Sequence, residues 1–376
     1  MFNRILAISK KESRQLRRDT RMLFIVFCFP VVLLAIFGYA INFDVHHIKI
    51  AVYDQDRSEY TRDFIGGLIS SEYFDLVTYI DNDDQIKRIL DKKIAQVVVV
   101  FPKDMSRKLL SKQEVKVQFL IDGVDGTSAN IIRQYVNAAT YSYSLQFTKE
   151  YLLATGKKMY MPIDLQPRFW FNPDLQSIRF LIPGLMAMIL IITAVISISL
   201  SIVREKERGT IEQLNVSPLS SLEFILGKTI PYIVISLINA TIVLLAGYVL
   251  FGIAIKGDLF LLLLGTFVFL FAALSLGVFI STIADSQQVA FQAAIVASLL
   301  PSFILSGFIF PIESMPSAIQ LLTNVTPAKF YIVILRAILL RGAGISAFWE
   351  QLIYLAIFGV IFTMLAILAD KKSKNK

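Results

Sequence analysis

The amino-acid sequence predicts an all-α membrane protein with six transmembrane helices and an extracytoplasmic α/β domain inserted between helices 1 and 2. Three observations lead to this prediction. Six windows lack Asp, Glu, Lys and Arg over about 20 residues, the length an α-helix needs to cross a bilayer. Residues 44–178 interrupt these windows with balanced charge and short apolar runs. Lys and Arg are also concentrated in alternate segments between the windows.

The predicted spans are residues 22–43, 180–203, 229–255, 259–284, 286–312 and 351–369. The first could instead be a signal peptide, since basic residues precede it. We favour a retained helix, because the window exceeds the usual apolar core of a signal peptide and no small-residue cleavage site follows it. The remaining five spans form a predicted transmembrane domain over residues 179–370, and residues 371–376 form a basic tail.

Lys and Arg flanking short loops predict the orientation, because cytoplasmic loops are enriched in them. The segments 1–21, 204–228 and 370–376 are the basic ones, whereas the short loop 256–258 carries only Lys256. Both termini are therefore predicted to be cytoplasmic. The net charge of +8 follows from this topology, so we do not expect a nucleic-acid partner.

The segment 44–178 alternates between predicted strands and helices, which favours a small α/β domain with a partly parallel sheet. Strands are predicted at 48–53, 74–80, 95–101 and 115–121, and helices at 62–70, 84–92, 104–111 and 128–153. Residues 97–100 are four valines and form the predicted central strand. A proline-containing stretch, 161–173, is predicted to return extended to the membrane.

Two further segments are membrane-associated in pattern. Residues 1–21 predict a helix on the inner membrane surface, with Phe2, Ile5, Leu6 and Leu16 on one side and basic residues elsewhere. In the apolar stretch 301–350, four prolines rule out one straight helix. We predict a bent fifth helix and a short re-entrant hairpin on the outer side, because non-helical backbone at membrane depth must be covered by protein or line a cavity.

A dense alternation of charge follows the second span. Glu205 and Arg208 could pair at i,i+3, and Glu207 or Glu212 could face a basic groove on a soluble partner. On charge pattern alone, an ordinary solvated inner loop is the favoured interpretation. The predicted loop residues are Arg204, Glu205, Lys206, Glu207, Arg208, Gly209, Thr210, Glu212 and Pro218.

This loop, followed by Ser217-Pro218 and by Gly227-Lys228 before the next span, resembles the signature loop of ABC-2 type transporter permeases. The order of one helix, a large outer domain and five helices resembles the long-loop branch of that family over essentially the whole chain. The resemblance implies that residues 204–218 contact an ATP-binding subunit, and that the N-terminal helix contributes to the same interface.

The resemblance also implies the partners and the location. Such permeases are bacterial inner-membrane proteins that work in pairs, here with a second copy or a paralogue, bound to two ATP-binding subunits. In a double-membrane bacterium a periplasmic membrane-fusion adaptor would pass cargo onward. The chain itself would need no cofactor, since ATP-Mg would be bound by the partner subunits.

The residues offer little support for catalysis. Gly227-Lys228-Thr229 does not complete the phosphate-binding pattern G-x-x-x-x-G-K-[ST], because Leu222 stands where the first glycine is required. The single cysteine, Cys28, cannot form an intrachain disulfide. The two histidines, His46 and His47, are adjacent, and we expect no metal site at this pair. We therefore predict a transport subunit without catalytic residues.

Polar residues in the fifth span are the best candidates for a substrate path: Gln288, Gln292, Ser298, Pro301 and Ser302. Such a path favours amphipathic or apolar cargo, drug-like or lipid-like, although a polysaccharide or lipid-linked precursor is an alternative. Small polar residues in membrane helices more often serve packing. A secondary transporter is disfavoured because no charge lies well inside a span, and a membrane sensor because the inner segments are short.

Overall fold

The computed structural model describes residues 1–40, 47–71, 73–111, 113–154, 170–172, 176–209 and 220–374. Contacts divide the chain into two compact units. The helical unit comprises Met1–Asn42 and Arg168–Lys376, and the second unit comprises Phe43–Pro167.

The helical unit contains six helices long and apolar enough to cross a membrane. A shorter helix, α1, precedes them. The helices that begin or span this unit are α1 (Phe2–Arg18), α2 (Thr20–Ala40), α7 (Ser177–Glu207), α8 (Ser221–Phe251), α9 (Leu259–Ile283), α10 (Gln287–Ile304), α11 (Ser317–Leu322), α12 (Pro327–Leu335) and α13 (Trp349–Lys374). The predicted number of spans is confirmed, and the six are α2, α7, α8, α9, α10 and α13.

The observed helices do not begin and end where the uncharged windows do, because a charged residue does not by itself end a helix. At the start of α8, Ser220 and Glu223 form a reciprocal capping box, so the helix begins eight residues before the predicted window and includes the charged residue Lys228. The fifth span was predicted to reach residue 312, and this is wrong. Its helix ends at Ile304, shortly before Gly307 turns the chain with a φ of +76°.

The proline-rich stretch after α10 breaks the helices as predicted. Helical segments Ser317–Val325 and Pro327–Arg341 meet at 89°, since the residue before a proline is disfavoured in the α conformation. If this bent pair is counted as a span, the number rises to seven. Its last six residues, Arg336–Arg341, form a π-helical turn, a deviation that frequently marks a functional position.

Helix α7 lies at the centre of the helical unit, with 72% of its most apolar window buried. It packs against α9 at Gly277, where an added Cβ would lie 2.8 Å from the carbonyl oxygen of Val195. Ser199 Oγ donates to the Gly277 carbonyl oxygen at 2.7 Å. Such close approach of two backbones is how small residues hold membrane helices together.

The second unit contains a four-stranded mixed sheet in the order β2-β1-β3-β4. Its elements are β1 (Ile48–Asp54), α3 (Glu59–Ile69), β2 (Phe74–Tyr79), α4 (Asp84–Asp91), β3 (Val97–Phe101), α5 (Met105–Leu110), β4 (Gln118–Ile121) and α6 (Gly126–Ala154). Strand β1 runs parallel to β2 and β3, and β4 is antiparallel to β3. One core cluster includes Ile50, Val52, Phe64, Val97 and Val99.

These elements match the predicted ones to within about three residues at each end, and β3 is an interior strand as its valines predicted. The histidine pair falls partly outside the described residues, since His46 is not among them. His47 is exposed, and its Nδ1 lies 3.1 Å from Asp75 Oδ2. The described residues contain no cluster of His, Cys, Asp or Glu suited to holding a metal ion.

Candidate coupling site

The charged loop predicted from the sequence begins as the last turn of α7. Arg204 to Glu207 are helical, Arg208 caps the helix end, and Gly209 follows with a left-handed φ of +68°, which favours glycine. Thr210, Glu212 and Pro218 lie outside the described residues. The structure therefore describes the beginning of this loop and not its second half.

Three helices meet in an ion cluster at this end of α7, in which Glu12, Glu205 and Lys228 are buried and Lys11 is exposed. Lys228 of α8 is 1% exposed, and its Nζ lies 3.0 Å from Glu205 Oε2 of α7 and 3.4 Å from Glu12 Oε2 of α1. Lys11 Nζ lies 2.7 Å from Glu205 Oε1. Ser201 Oγ donates to Glu12 Oε1 at 2.6 Å. These contacts define what we call the ion cluster: Lys11, Glu12, Glu205 and Lys228.

The ion cluster is formally neutral, with two cations and two carboxylates. Burying one charge alone is expensive, and removing one member of a buried pair typically costs about 3–5 kcal/mol. Since Lys228 contacts carboxylates on two different helices, no helix of the three can move away without exposing or isolating a charge. The cluster therefore holds α1, α7 and α8 together as one body.

Close backbone packing supplements the ion cluster. A Cβ added at Gly227 would lie 2.8 Å from Ile8 Cβ and 3.3 Å from the Ile5 carbonyl oxygen, so the glycine lets α1 lie directly on α8. The buried residues of α1 are Ile8, Glu12 and Leu16. Of the predicted apolar face, Leu16 is buried within the helical unit, whereas Phe2 and Leu6 are 76% and 56% exposed; the placement of α1 on the membrane surface stays a prediction.

The other loop residues are tied to neighbouring helices. Arg204 Nη1 donates to Asp19 Oδ2 at 2.9 Å, between α1 and α2. Lys206 Nζ donates to the carbonyl oxygen of Ser281 at 2.7 Å, near the end of α9. Glu207 accepts from the Gln287 backbone N–H at 2.7 Å, at the start of α10. The end of α7 is therefore bonded to α1, α8, α9 and α10.

Burial separates the loop residues into two groups. Glu205 is 5% exposed and pairs with Lys11 and Lys228 instead of the predicted Arg208, so its carboxylate is not available to another protein. Glu207, Arg208 and Gly209 are exposed. Arg204 and Lys206 are half-buried, so the second group contains the described loop residues that are most open to a partner protein.

The predicted path residues do not share one environment. Gln288 and Gln292 are exposed on α10, Pro301 is half-buried, and Ser298 and Ser302 are completely buried. The Ser298 hydroxyl donates to the carbonyl oxygen of Ala294 in its own helix, whereas the Ser302 hydroxyl has no hydrogen-bond partner among the described residues. The structure thus divides the five residues between an exposed and a packed surface.

Sequence reasoning did not predict the ion contacts of Lys11, Glu12 and Asp19. It noted Lys228 only as part of the Gly227-Lys228 motif. One signal was present: Ile8, Glu12 and Leu16 recur at i,i+4 spacing, so an acidic residue stands in the middle of an apolar stripe. Lys228 stands among apolar residues near the start of α8. A charge on an otherwise buried face requires a partner, but the sequence does not say which one.

Comparison with known proteins decides the family. The family described as ABC-2 family transporter protein matches residues 20–368. The chain belongs to the ABC-2 transporter family. The permease is 32% identical to the probable multidrug ABC transporter permease YbhS of Escherichia coli K12, over 99% of this chain and 97% of that protein.

Two further relatives come from the same organism. The permease is 31% identical to the probable multidrug ABC transporter permease YbhR, over 94% of both chains. It is 29% identical to the inner membrane transport permease YhhJ, over 98% of this chain and 97% of that one. With six apolar helices, membership of this family makes the chain a multi-pass inner-membrane protein and a transport subunit.

The structure also explains why Gly227-Lys228-Thr229 is not a phosphate-binding loop. These residues lie inside α8, where backbone N–H groups are occupied by helical hydrogen bonds. The Lys228 ammonium group is already paired with two carboxylates. ABC-2 permeases work with ATP-binding subunits, and the ATPase activity lies in those partners.

Proposed function

We propose that this permease is the membrane subunit of an exporter that moves an amphipathic or apolar molecule out of the cytoplasm or inner membrane. ATP-Mg would be bound by a pair of partner subunits, and the permease would act with a second copy or a paralogue. The partners would contact the loop 204–218 together with α1. The observation that carries the proposal is the ion cluster, which joins α1 to the ends of α7 and α8.

The ion cluster suits transmission of force because it makes the contact region stiff. A push on the exposed end of α7 acts at the same time on α1 and α8 through Lys228, and on α10 through the contact of Glu207 with Gln287. Helix α7 is the most deeply buried span. Movement at its end would therefore reach most of the helical unit.

Reversing the exposed charge at the loop should separate the permease from its ATP-binding subunits. Glu207→Lys places an ammonium group at the exposed position that was predicted to face a basic groove of the partner, and like-charge contacts across an interface cost several kcal/mol. We expect the ATP-binding subunit recovered with the tagged permease to fall at least about tenfold, with export lost in parallel. Co-purification from membranes measures the first effect.

Glu350→Lys is the matched control, since Glu350 is exposed at the start of α13, far along the sequence from the loop. Its recovery of the ATP-binding subunit should equal that of the wild type. Normal co-purification of Glu207→Lys would mean that the partners dock elsewhere.

We further propose that both termini are cytoplasmic and that the second unit, Phe43–Pro167, is extracytoplasmic. The support is the excess of basic residues at 1–21, 204–228 and 370–376. In this orientation the second unit would receive cargo or dock a periplasmic membrane-fusion adaptor. It would be the α/β domain inserted between the first two spans.

Cysteine labelling tests the orientation directly, because Cys28 is the single cysteine of the chain. In a Cys28→Ser background, Asp91→Cys and Lys10→Cys each place one thiol at an exposed position. A membrane-impermeant maleimide added to cells with a permeabilised outer membrane should label Asp91→Cys and leave Lys10→Cys unlabelled until the inner membrane is opened. The reverse pattern would contradict the proposed topology.

The cargo assignment draws on relatives and on α10. YbhS and YbhR carry the word multidrug in their names, which supports drug-like or lipid-like cargo over the alternative of a polysaccharide or lipid-linked precursor. Gln288 and Gln292 offer exposed polar groups on an apolar helix, as amphipathic cargo would require. The more buried side of α10 would instead pack against the protein and allow the helix to bend; it carries Ser298, Pro301 and Ser302.

A further inference from the structure

A cavity of ≈ 400 Å³ opens at the end of α7 opposite to the ion cluster. It lies where several elements of the helical unit meet: the first turn of α7, the turn after α10, and the π-helical residues Arg336–Arg341. Its lining includes three arginines and one acidic residue beside aromatic rings: Trp170, Arg179, Phe180, Glu313, Arg336 and Arg341. An excess of cations over carboxylates at the end of apolar helices predicts an anionic ligand.

Arg336 is held in a fixed orientation by backbone acceptors. Its Nη2 donates to the carbonyl oxygens of Phe180 at 3.0 Å and Gly307 at 3.1 Å, and its Nε donates to Phe180 at 3.3 Å. The guanidinium carbon lies 3.7 Å from the centre of the Phe180 ring. The geometry is therefore set before any ligand arrives, which reduces the entropy lost on binding.

These acceptors carry no net charge, and Glu313, an acidic residue of the same lining, attracts Arg336 without forming an ion pair with it. Among the described residues, no carboxylate lies within ion-pair distance of Arg336 or Arg341, and none accepts a hydrogen bond from Arg336 Nη1. Arg341 is exposed. Two guanidinium groups with free donors therefore line one cavity, and planar donor pairs of this kind match phosphate oxygens.

The surroundings indicate that the phosphate belongs to an amphiphile. Trp170 is 71% exposed and Phe171 is 46% exposed, and both precede the first apolar turn of α7. Aromatic residues at the ends of spans lie at the level of lipid headgroups. A free phosphate would gain nothing from these rings, whereas a molecule with an apolar tail would contact them and the cations together.

We propose that this cavity binds the phosphate headgroup of an anionic amphiphile, with Arg336 and Arg341 as the residues that contact the phosphate. The site requires neither ATP nor transport, so it stands independently of the exporter proposal. The headgroup would accept from Arg336 Nη1 and from Arg341, while the tail lies along the aromatic residues at the membrane boundary.

The two tryptophans of the chain, Trp170 and Trp349, make a direct test possible. The full-length Trp349→Phe variant in phosphatidylcholine vesicles reports only on Trp170, which lines the cavity. Phosphatidylglycerol with brominated acyl chains is compared with brominated phosphatidylcholine as a quencher. We expect half-maximal quenching at an about tenfold lower mole fraction of phosphatidylglycerol, the factor that charge-assisted hydrogen bonds supply.

The variants separate a specific site from general surface charge. Arg341→Ala removes an exposed side chain and Arg336→Lys keeps the charge without the planar donor pair, and each should abolish the preference for phosphatidylglycerol. Lys256→Ala removes one exposed cation outside the cavity and should retain it. Equal quenching by both lipids in the parent, or a preference that survives Arg341→Ala, would overturn the proposal. An emission shift caused by millimolar inorganic phosphate without anionic lipid would overturn the headgroup assignment.

Discussion

Lys228→Met is expected to destabilise the helical unit more than any other single change at the coupling site. The substitution keeps much of the side-chain volume but removes the cation that lies 3.0 Å from Glu205 and 3.4 Å from Glu12. Glu205 retains Lys11, whereas Glu12 is left buried with Ser201 as its one donor among the described residues. Isolating a buried charge costs about 3–5 kcal/mol, so the midpoint of thermal unfolding in detergent should fall by roughly 10 °C.

A second substitution should restore most of this loss. In Lys228→Met with Glu12→Gln, Lys11 and Glu205 remain as a neutral pair, so no unpaired charge stays buried. Lys256→Met serves as the control, because Lys256 is exposed and its replacement should leave the midpoint unchanged. If Lys228→Met has the same midpoint of thermal unfolding as the wild type, the ion cluster does not hold the three helices together.

Gly277→Ala should weaken the packing of α7 against α9 even though alanine is the better helix former. The new Cβ would lie 2.8 Å from the Val195 carbonyl oxygen and 2.4 Å from Ile198 Cγ2. The first contact is with backbone, so the two helices must separate, and the hydrogen bond from Ser199 is lost with them. Overpacking costs about 1–3 kcal/mol, and the lost hydrogen bond adds about 1 kcal/mol.

Gly265→Ala, in the same helix, is the matched comparison for this prediction. The nearest atom to its new Cβ is Ile334 Cγ2 at 2.9 Å, and the next atom is 3.9 Å away. That contact is a methyl group on the β-branched side chain of Ile334, which must turn to make room, whereas the obstacle at Gly277 includes backbone. The midpoint of thermal unfolding should therefore fall further for Gly277→Ala than for Gly265→Ala, and an equal midpoint for both variants would contradict close packing at Gly277.

The sequence predicted the elements of the second unit well, and it predicted the bundle less completely. Alternating apolar residues placed β1 to β4 and the helices between them nearly at their observed ends. The fifth span failed because the window continued past Gly307, and absence of charge says nothing about backbone conformation. Conversely α8 began earlier than its window because a capping box and a paired lysine allow a helix to include charge.

The loop 204–218 also shows, at single residues, what the sequence predicted and what it could not. Charge density marked residues 204–218, but it could not distinguish Glu205, which is buried in the ion cluster, from Glu207 and Arg208, which stay exposed. That difference depends on Lys11, 194 residues away, and on Lys228. The cavity arginines were missed for a related reason, since Arg336 stands in an apolar stretch and its acceptors come from α7 and from the turn after α10.

Local properties determined what the sequence alone could give: six spans from apolar length, the elements of the second unit from periodicity, and the family from an ordered set of motifs. Each depends on residues close together in the chain. Tertiary structure alone decided which charges are buried, which helices the ion cluster joins, and where the arginines meet. Those features depend on burial and on contacts between distant segments, because the energy of a charge is set by its solvent exposure and its neighbours.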